Sequence, residues 1–305
     1  MESTITVVIP TLERSELYRA LESVRAQTLP CHEVLVIVDK PEVSPDTRRF
    51  LRENERAIST GGGRGGAVAR NIGLAHATGQ YVAFLDDDDW WEPEKIESQV
   101  DACNRTGATV SWTATRFHQD SKVRIIPRRP YQGGEFVGDY LVARPGIRHG
   151  DGYIQSSSLL IDRQLATKVQ WDESLKKHQD WDFVIRLVDV ECSRFTYVPL
   201  PLVNVQQASE NSVSASRKWA ASAHFLLKFD ARWGQRAKAD FVLTQIVRSS
   251  LAAGDIEGLR SAVRLHPRAL PNFGAILVAG MGMFEFFKLQ TARWQRRSEK
   301  SRDAS

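Results

Sequence analysis

An apolar run that ends in four consecutive aspartates constrains the fold of this chain more than any other feature. Residues 81–85 are Tyr, Val, Ala, Phe and Leu, which predict a fully buried strand, and Asp86, Asp87, Asp88 and Asp89 follow directly. Ionised carboxylates are unfavourable in an apolar interior unless they have partners, so these four must lie where the strand leaves the core. Open α/β sheets bind ligands at the carboxyl ends of their strands. The run therefore predicts an α/β sheet with a ligand site lined by carboxylates.

The four aspartates allow two interpretations. Clustered carboxylate oxygens are hard ligands that suit Mg²⁺ or Mn²⁺, which proteins usually share with substrate phosphates. The alternative is an acidic turn that caps a helix beginning near Glu92 and Pro93, with Asp89 as the N-cap residue. Capping accounts for one or two of the acids and leaves the others in mutual repulsion, so the pattern favours a metal site.

The sequence alternates between strand-like and helix-like segments as far as residue 215. The predicted strands near the N-terminus are nearly continuous apolar runs, which is typical of parallel strands buried on both faces. We therefore expect an α/β fold with a Rossmann-like, mostly parallel sheet flanked by helices, and a helical extension after it. Predicted strands cover 4–10, 33–38, 56–59, 81–85, 110–117, 122–126 and 153–161, and predicted helices cover 15–27, 45–54, 67–77, 92–104 and 180–190.

A change of pattern near residue 215 predicts a domain boundary. Residues 1–215 form the expected α/β domain, and residues 216–305 are helical throughout. Residues 215–305 contain 16 Lys and Arg against 7 Asp and Glu, whereas residues 1–214 contain 25 against 30. This asymmetry predicts an anionic partner for the C-terminal region alone.

The cysteines and the N-terminus indicate the compartment. Cys31, Cys103 and Cys192 are far apart and odd in number, which argues against a disulfide framework and against a cysteine-based metal site. The chain begins with Met1 and enters a predicted strand at residue 4, so no signal peptide is expected. These features predict a cytoplasmic protein.

A glycine-rich segment allows a different kind of ligand site. Gly61, Gly63 and Gly66 satisfy the G-x-G-x-x-G spacing of dinucleotide-binding turns, and Asp86 lies 20 residues further on, where an acid would bind ribose. Such a turn normally follows the first strand of its unit, whereas this segment follows the third predicted strand. A dinucleotide-dependent oxidoreductase is therefore the alternative enzyme class.

Three further residues extend the predicted site. Asp39 ends the second predicted strand at the same edge of the sheet as the aspartates, and Arg70 lies early in the next helix, where its guanidinium suits a pyrophosphate. The alternatives are a turn-capping acid and a surface arginine. Asp180 opens a predicted amphipathic helix, where it is either the N-cap residue or a general base beside His178 and Trp181.

Taken in order, five segments resemble motifs of the family 2 glycosyltransferases, which have the GT-A fold, and the resemblance covers roughly residues 4–215. One such motif is a weak signal, whereas five in the right order are specific. Residues 8–14 resemble the first-strand Pro-Thr-Tyr-Asn-Arg motif, 33–39 the second strand with its terminal acid, 69–79 the Ala-Arg-Asn-x-Gly segment, 84–89 the Phe-Leu-Asp-x-Asp-Asp (DxD) motif, and 179–187 the Glu-Asp-x-Asp-Leu segment. Departures at Leu12, Glu13, Lys40 and Gln179 concern the donor and acceptor contacts more than the reaction class.

The resemblance implies inverting transfer of a sugar from a nucleotide diphosphate sugar, with UDP, GDP or dTDP as the nucleotide. The implied acceptor is a glycan or lipid-linked hydroxyl in bacterial surface polysaccharide synthesis, with residues 1–110 binding the donor and 111–215 facing the acceptor. A catalytically inactive membrane scaffold with the same fold is the non-enzyme alternative. The implied roles are a catalytic base at Asp180, a Mn²⁺ or Mg²⁺ ligand at Asp88, nucleotide-sugar contacts at Pro10, Thr11, Glu13, Asp39, Arg70, Asp86 and Asp87, and acceptor contacts at Trp91, His178 and Trp181.

The segment 270–302 is apolar at first and basic at its end. The 15 residues from Phe273 to Phe287 span about 22 Å as a helix, which is shorter than the roughly 30 Å hydrocarbon core of a bilayer. The segment is therefore expected either to lie on an anionic membrane surface at the inner face of the cell membrane, or to pack on the domain with a solvated basic tail. Nothing in the sequence resembles a nucleic-acid recognition module, so no nucleic-acid partner is expected.

Overall fold

The computed structural model describes residues 3–119, 122–146, 152–206 and 219–302, with the backbone alone at 289 and 292–302. The chain forms two compact units, one from Met1–Gln132 and Gly152–Gln207, the other from Gly133–Asp151 and Ala208–Ser305. The predicted boundary near residue 215 lies outside the described residues. Residues 133–146, which were predicted to lie on the acceptor side of the first domain, belong instead to the second unit.

The first unit is built on one mixed sheet. Its described elements are β1 (Ile5–Thr11), α1 (Leu17–Arg25), β2 (Glu33–Val38), α2 (Pro45–Phe50), β3 (Glu55–Ser59), α3 (Gly66–His76), β4 (Tyr81–Phe84), β5 (Trp90–Trp91), α4 (Lys95–Thr106), β6 (Val110–Gln119), β7 (Lys122–Ile126), then, after α5 (Val137–Val142) of the second unit, β8 (Leu159–Asp162), α6 (Arg163–Val169), α7 (Gln179–Val188) and β9 (Phe195–Gln206).

The sheet has the strand order β3-β2-β1-β4-β8-β6-β9-β5, with β7 paired to β6. The first four strands are mutually parallel, and β8 runs antiparallel to both β4 and β6. Every residue of β1, β2 and β4 is buried, as expected for strands covered on both faces. The predicted Rossmann-like sheet flanked by helices is confirmed.

Three local predictions differ from the structure. The predicted strand at 153–161 is wrong in its first part, since Ser156–Ser158 form a 3₁₀ turn and β8 begins at Leu159. The predicted helix at 92–104 begins later, at Lys95, because Trp90 and Trp91 pair with β9 as a two-residue strand. The strand β9 was not predicted, since its sequence contains two prolines and lacks a continuous apolar run.

Close packing of α3 on β1 helps to position the ligand site. A Cβ atom at Gly73 would lie 2.3 Å from Val8 Cγ1, so only glycine allows this helix to lie so near the strand. Arg70 precedes Gly73 by three residues and therefore shares the same side of α3. The helix thus holds the Arg70 side chain against the sheet.

A fully buried lysine lies beneath the sheet edge that carries Trp91. Lys95 Nζ donates a hydrogen bond to the Leu159 carbonyl at 3.3 Å and lies 3.9 Å from the centre of the Trp91 ring. Burial lowers the pKa of Lys95 to about 7. In the unfolded chain the same group keeps its proton until about pH 10.5.

We expect this lysine to make the stability of the protein pH-dependent. Between about pH 7 and pH 10 the unfolded chain binds the additional proton, so the free energy of unfolding rises with pH, by an upper limit of roughly 5 kcal/mol. Lys95→Met should lose this rise, and Lys122→Met, which changes an exposed lysine, should keep it. Urea unfolding at pH 7, 8 and 9 measures the free energy of unfolding of each protein. The same change with pH in the wild type and in Lys95→Met would contradict the expectation.

The second unit is helical in its described part. Besides α5 it contains α8 (Trp219–Lys228), α9 (Gln235–Phe241), a π-helical segment (Val242–Val247), α10 (Arg248–Ala253), α11 (Ile256–Leu265) and α12 (Phe273–Arg302). Asp240 is fully buried and connects three segments by hydrogen bonds. Its carboxylate accepts from the backbone N–H of Arg144 (2.8 Å) and from the backbone and side-chain N–H groups of Asn272 (2.7 and 2.6 Å). None of the helices in the described residues is sufficiently long and apolar to cross a bilayer.

Candidate active site

The turn after β4 presents four carboxylates that each have different surroundings. The backbone N–H of Asp89 donates to the Asp86 carbonyl at 3.0 Å and closes the turn. Since β4 lies between β1 and β8, the turn is flanked by the end of β1 and by the segment that leads into β8. Side chains from both neighbours bind the aspartates, so the sheet order itself assembles the site.

Asp87 faces the loop after β1. Thr11 Oγ1 donates to Asp87 Oδ2 at 2.7 Å, and Arg14 Nη1 donates to Oδ1 at 3.2 Å. Burial raises the pKa of Asp87, and the bonds from Thr11 and Arg14 oppose that rise. The structure therefore joins two of the predicted donor-site residues, Thr11 and Asp87, and fixes the loop after β1 to the aspartate turn.

Asp86 is bound to Arg70. Arg70 Nη2 donates to Asp86 Oδ1 at 2.5 Å, and Ser156 Oγ donates to Oδ2 at 3.2 Å. The guanidinium is buried, lies 4.7 Å from the centre of the Trp171 ring, and donates from Nη1 to Gln179 Oε1 at 3.3 Å. The alternative of a surface arginine is wrong. Arg70 is instead buried beside Asp86 and supplies positive charge to the carboxylate cluster.

Asp88 is the most accessible member of the turn. Its side chain is 40% exposed, and Arg14 Nη1 lies 3.8 Å from Oδ2. Burial and the neighbouring Asp86 and Asp87 raise the pKa of Asp88 to about 6. Mg²⁺ and Mn²⁺ are commonly held by one or two carboxylates together with substrate phosphates, and an exposed carboxylate at a strand end fits that requirement. Within the described residues no group of three His, Cys, Asp or Glu side chains forms a complete metal site.

Asp89 has a structural role. It is buried and accepts hydrogen bonds from Ser157 Oγ at 2.6 Å and from Gln155 Nε2 at 3.0 Å. Burial, together with Asp86 and Asp88, raises its pKa well above the ordinary value. The interpretation of Asp89 as a helix N-cap is wrong, because α4 begins only at Lys95 and Asp89 binds the segment before β8.

Asp180 lies in the first turn of α7, close to the same cluster. The backbone N–H of Ser156 donates to Asp180 Oδ2 at 3.4 Å. Burial raises the pKa of Asp180 to about 6; Arg70 lowers it and Asp86 raises it. The N-cap position of α7 is occupied by His178, which has a positive φ of 63°, so the N-cap interpretation of Asp180 is wrong. A carboxylate with this pKa beside Arg70 and Asp86 has the properties of a general base near neutral pH.

The segment 153–158 contributes site residues that were not predicted from the sequence. Ser156 contacts Asp86 and Asp180, while Ser157 accepts from the Asp86 backbone N–H at 3.1 Å and donates to Asp89. Gln155 binds Asp89 and accepts from Tyr153 Oη at 2.9 Å. The run of three serines before an apolar strand is the sequence signal that could have identified this segment, because buried hydroxyl groups require hydrogen-bond partners.

The loop after β1 and the end of β2 are rigidly held. The Glu13 carboxylate accepts from the Ser44 backbone N–H at 2.8 Å and pairs with Lys40 Nζ at 3.1 Å; although burial opposes it, the hydrogen bonds lower the pKa of Glu13 to about 2. Pro10 lies within β1, opposite Ile37 of β2. These residues form a preorganised wall beside the aspartate turn.

Asp39 organises the glycine segment. Its carboxylate accepts from Thr60 Oγ1 at 2.6 Å and from the backbone N–H groups of Arg64 and Gly65, both at 2.8 Å. Burial raises the pKa of Asp39, but these bonds more than compensate and lower it. The glycine segment follows β3, the edge strand, whereas a dinucleotide-binding turn follows the first, central strand. The topology therefore disfavours the dinucleotide alternative.

The three predicted acceptor residues have different environments. Trp91 is 3% exposed, donates from Nε1 to the Ser157 carbonyl at 2.9 Å and packs on Lys95, so the prediction that it stacks on an acceptor is wrong. His178 and Trp181 stack on each other with ring centres 4.7 Å apart at the start of α7. Burial lowers the pKa of His178 well below its ordinary value, which favours the neutral imidazole.

Comparison with known proteins gives a family match. Residues 6–162 match the family described as glycosyl transferase family 2. The amylovoran biosynthesis glycosyltransferase AmsB of Erwinia amylovora is 29% identical over 66% of this chain and 69% of its own length. TuaG of Bacillus subtilis (strain 168), a glycosyltransferase assigned to teichuronic acid biosynthesis, is 34% identical over 72% of this chain and 84% of its own length.

Solved structures give the same architecture. S. aureus TarS 1–349, crystallised with UDP-GlcNAc, matches with a TM-score of 0.60 at 14% identity, over 86% of this chain and 79% of that one. The mannosyltransferase PcManGT from Pyrobaculum calidifontis, in complex with GDP-Man and Mn²⁺, matches with a TM-score of 0.54 at 17% identity, over 87% and 74%. At these identities the likeness concerns the fold, and it confirms the predicted GT-A type.

Proposed function

The chain belongs to glycosyl transferase family 2, and on that premise we propose that it moves a sugar from a nucleotide diphosphate sugar to an acceptor hydroxyl, with inversion at the anomeric carbon. The acceptor is a glycan or a lipid-linked saccharide, in the synthesis of a bacterial surface polysaccharide. One observation carries the proposal: Ser156 bonds both to Asp86 in the aspartate turn and to Asp180 on α7, so the donor acids and the base belong to one cluster.

The chemistry follows from these positions. Asp180 accepts the proton of the acceptor hydroxyl while the acceptor oxygen forms a bond to C1 and the bond between C1 and the diphosphate oxygen breaks. Single displacement requires only this one base and inverts the configuration. A divalent cation, Mn²⁺ or Mg²⁺, bound by Asp88 and the diphosphate would neutralise charge on the leaving group. Arg70 adds a fixed positive charge beside the same acids.

The donor side is proposed to use the remaining residues of the cluster. The nucleotide-sugar contacts are proposed to come from Pro10 and Thr11 at the end of β1, from Glu13 and Asp39 in the loops after β1 and β2, and from Asp87 in the turn after β4. TarS was crystallised with UDP-GlcNAc and PcManGT with GDP-Man, so UDP, GDP and dTDP are the nucleotides to test.

The acceptor side is proposed to lie near α7. His178 and Trp181 form a stacked pair within two residues of Asp180, which suits contact with a sugar ring next to the base. We further propose that the protein acts in the cytoplasm, at the inner face of the cell membrane, and that this anionic surface is the partner of its basic C-terminal region.

Calorimetric titration with UDP, GDP and dTDP, each with and without Mn²⁺, tests the donor site. We expect one of the nucleotides to bind, and its affinity to increase at least tenfold with Mn²⁺, because the cation screens the diphosphate from Asp86 and Asp87. Binding that is identical with and without the cation would reject metal dependence. No binding of any of the three with Mn²⁺ present would reject the donor site.

A further inference from the structure

The outward face of α12 carries large apolar side chains that stay exposed. Between Phe273 and Phe287, seven such side chains keep 40–74% of their surface accessible in the described part of the chain. They recur every three or four residues, so they lie on one broad side of the helix. This outward apolar face consists of Phe273, Ile276, Leu277, Met281, Met283, Phe284 and Phe287.

The inward side of the same helix carries small residues. Ala275, Ala279 and Gly282 are buried, and a Cβ atom at Gly282 would lie 2.5 Å from the Arg248 carbonyl oxygen of α10. A helix that serves only the core of its own unit buries its largest apolar side chains and exposes polar ones. Here Phe286 packs inward against Gly254, but seven large apolar side chains stay on the outward side, which indicates that this side has a partner outside the chain.

We propose that the outward apolar face of α12 inserts into the interface of an anionic lipid bilayer, an inference that rests on the membrane association proposed above. The 15 residues from Phe273 to Phe287 extend for about 22 Å, too short to cross a hydrocarbon core of roughly 30 Å but suited to a helix lying in the membrane plane. An exposed apolar side that continues along the chain into a basic segment is typical of such helices.

The charge of the sequence selects this partner over a second copy of the chain. Residues 288–302 contain six Lys and Arg and one Glu. Two copies paired through α12 would bring two such basic segments into one assembly, where they repel. Anionic headgroups attract the same segment, and each cation near the surface strengthens binding.

Sedimentation of the full-length protein with lipid vesicles tests the proposal. We expect at least tenfold stronger partitioning onto vesicles of phosphatidylcholine with about 30% phosphatidylglycerol than onto pure phosphatidylcholine, with the difference reduced as salt rises from about 0.1 to 0.5 M. Phe284→Ser/Phe287→Ser should weaken partitioning by about 10-fold to 100-fold, because it removes two apolar side chains from the lipid contact. Arg296→Gln/Arg297→Gln should weaken it by about 10-fold on the anionic vesicles only.

A matched control changes two exposed apolar residues elsewhere. Val123→Ser/Ile125→Ser on β7 should leave partitioning unchanged. Equal partitioning on both kinds of vesicle, or an unchanged Phe284→Ser/Phe287→Ser variant, would overturn the proposal. A dimer of the wild type in solution that this variant dissociates would also overturn it, in favour of a second copy as the partner.

The donor titration keeps this inference separate from the proposed reaction. Phe284→Ser/Phe287→Ser should bind the nucleotide as the wild type does, because it changes only the surface of α12. Nucleotide binding without vesicle binding would reject the membrane inference alone. Vesicle binding without nucleotide binding would reject the proposed donor site alone.

Discussion

Replacing Asp180 with asparagine is expected to reduce kcat by about 10²- to 10⁴-fold, which is the range for loss of a general base. The amide keeps the size of the side chain and can still accept the hydrogen bond from the Ser156 backbone N–H, but it cannot take a proton. Nucleotide affinity should remain within a few fold of the wild type, because Asp180 binds neither the nucleotide nor the cation in the proposed arrangement.

The pH dependence of the wild type provides a second test of Asp180. Burial raises the pKa of this carboxyl to about 6, with Arg70 and Asp86 acting in opposite directions. Only the ionised form accepts a proton, so kcat/KM, which reports the free enzyme, should fall at least tenfold for each pH unit below 6 and reach a plateau above it. The residual kcat/KM of Asp180→Asn should fall less steeply below pH 6, because Asp88, whose pKa is also raised to about 6, still titrates there but position 180 no longer does. A wild-type rate that does not change between pH 5 and pH 7 would contradict the assignment.

Asp189→Asn is a suitable control for Asp180→Asn. Asp189 is exposed at the C-terminal end of the same helix, so its replacement makes the same chemical change outside the cluster. It should keep the wild-type rate and pH profile. If Asp180→Asn retained full kcat with intact nucleotide binding, the base would have to be another residue. The contacts of Ser156 with Asp86 and Asp180 would then no longer support a shared site for the donor acids and the base.

The first four strands were predictable because their signals are local. β1, β2 and β4 are nearly continuous apolar runs, and such a run is the signal by which a buried parallel strand is predicted from sequence. Their carboxyl ends share one edge of the sheet by topology alone, so the positions of Thr11, Asp39 and Asp86 followed. Arg70 was harder to predict, because its burial against Asp86 depends on the close approach of α3 and β1 at Gly73.

The remaining parts depend on partners that are distant in sequence. Trp90 and Trp91 form a strand only because β9, more than 100 residues later, pairs with them. Asp89 is buried rather than exposed as a cap because Gln155 and Ser157 bind it. The short 3₁₀ turn at Ser156–Ser158 bends the chain so that its hydroxyl and N–H groups face the acids, and no periodicity in the sequence predicts that bend.

Replacing Asp88 with asparagine is expected to remove most of the metal-dependent affinity for the nucleotide and to reduce kcat by about 10²- to 10³-fold. The side chain keeps its shape and loses one charge, and a neutral amide is a much weaker ligand for Mn²⁺ or Mg²⁺ than a carboxylate. Calorimetry with and without Mn²⁺ measures the first effect, and the rate of sugar transfer measures the second. Asp101→Asn, an exposed position on α4, is the control and should behave as the wild type.

The same substitution should change the stability of the protein differently at Asp87 and at Asp88. A loss of activity in Asp88→Asn can therefore be distinguished from a loss of folding. Asp87 is almost completely buried and accepts hydrogen bonds on both carboxylate oxygens, from Thr11 and Arg14. An asparagine there turns its –NH2 group towards one of these donors, so Asp87→Asn should lower the free energy of unfolding, by about 1–3 kcal/mol. Asp88 is partly exposed, and burial and the neighbouring acids disfavour its charge, so Asp88→Asn should keep or raise the free energy of unfolding at neutral pH. If Asp88→Asn restored polysaccharide synthesis in a cell that lacks the protein, a scaffold would explain the fold better than an enzyme. Loss of synthesis by a stably folded variant would mean that the carboxylate itself is required.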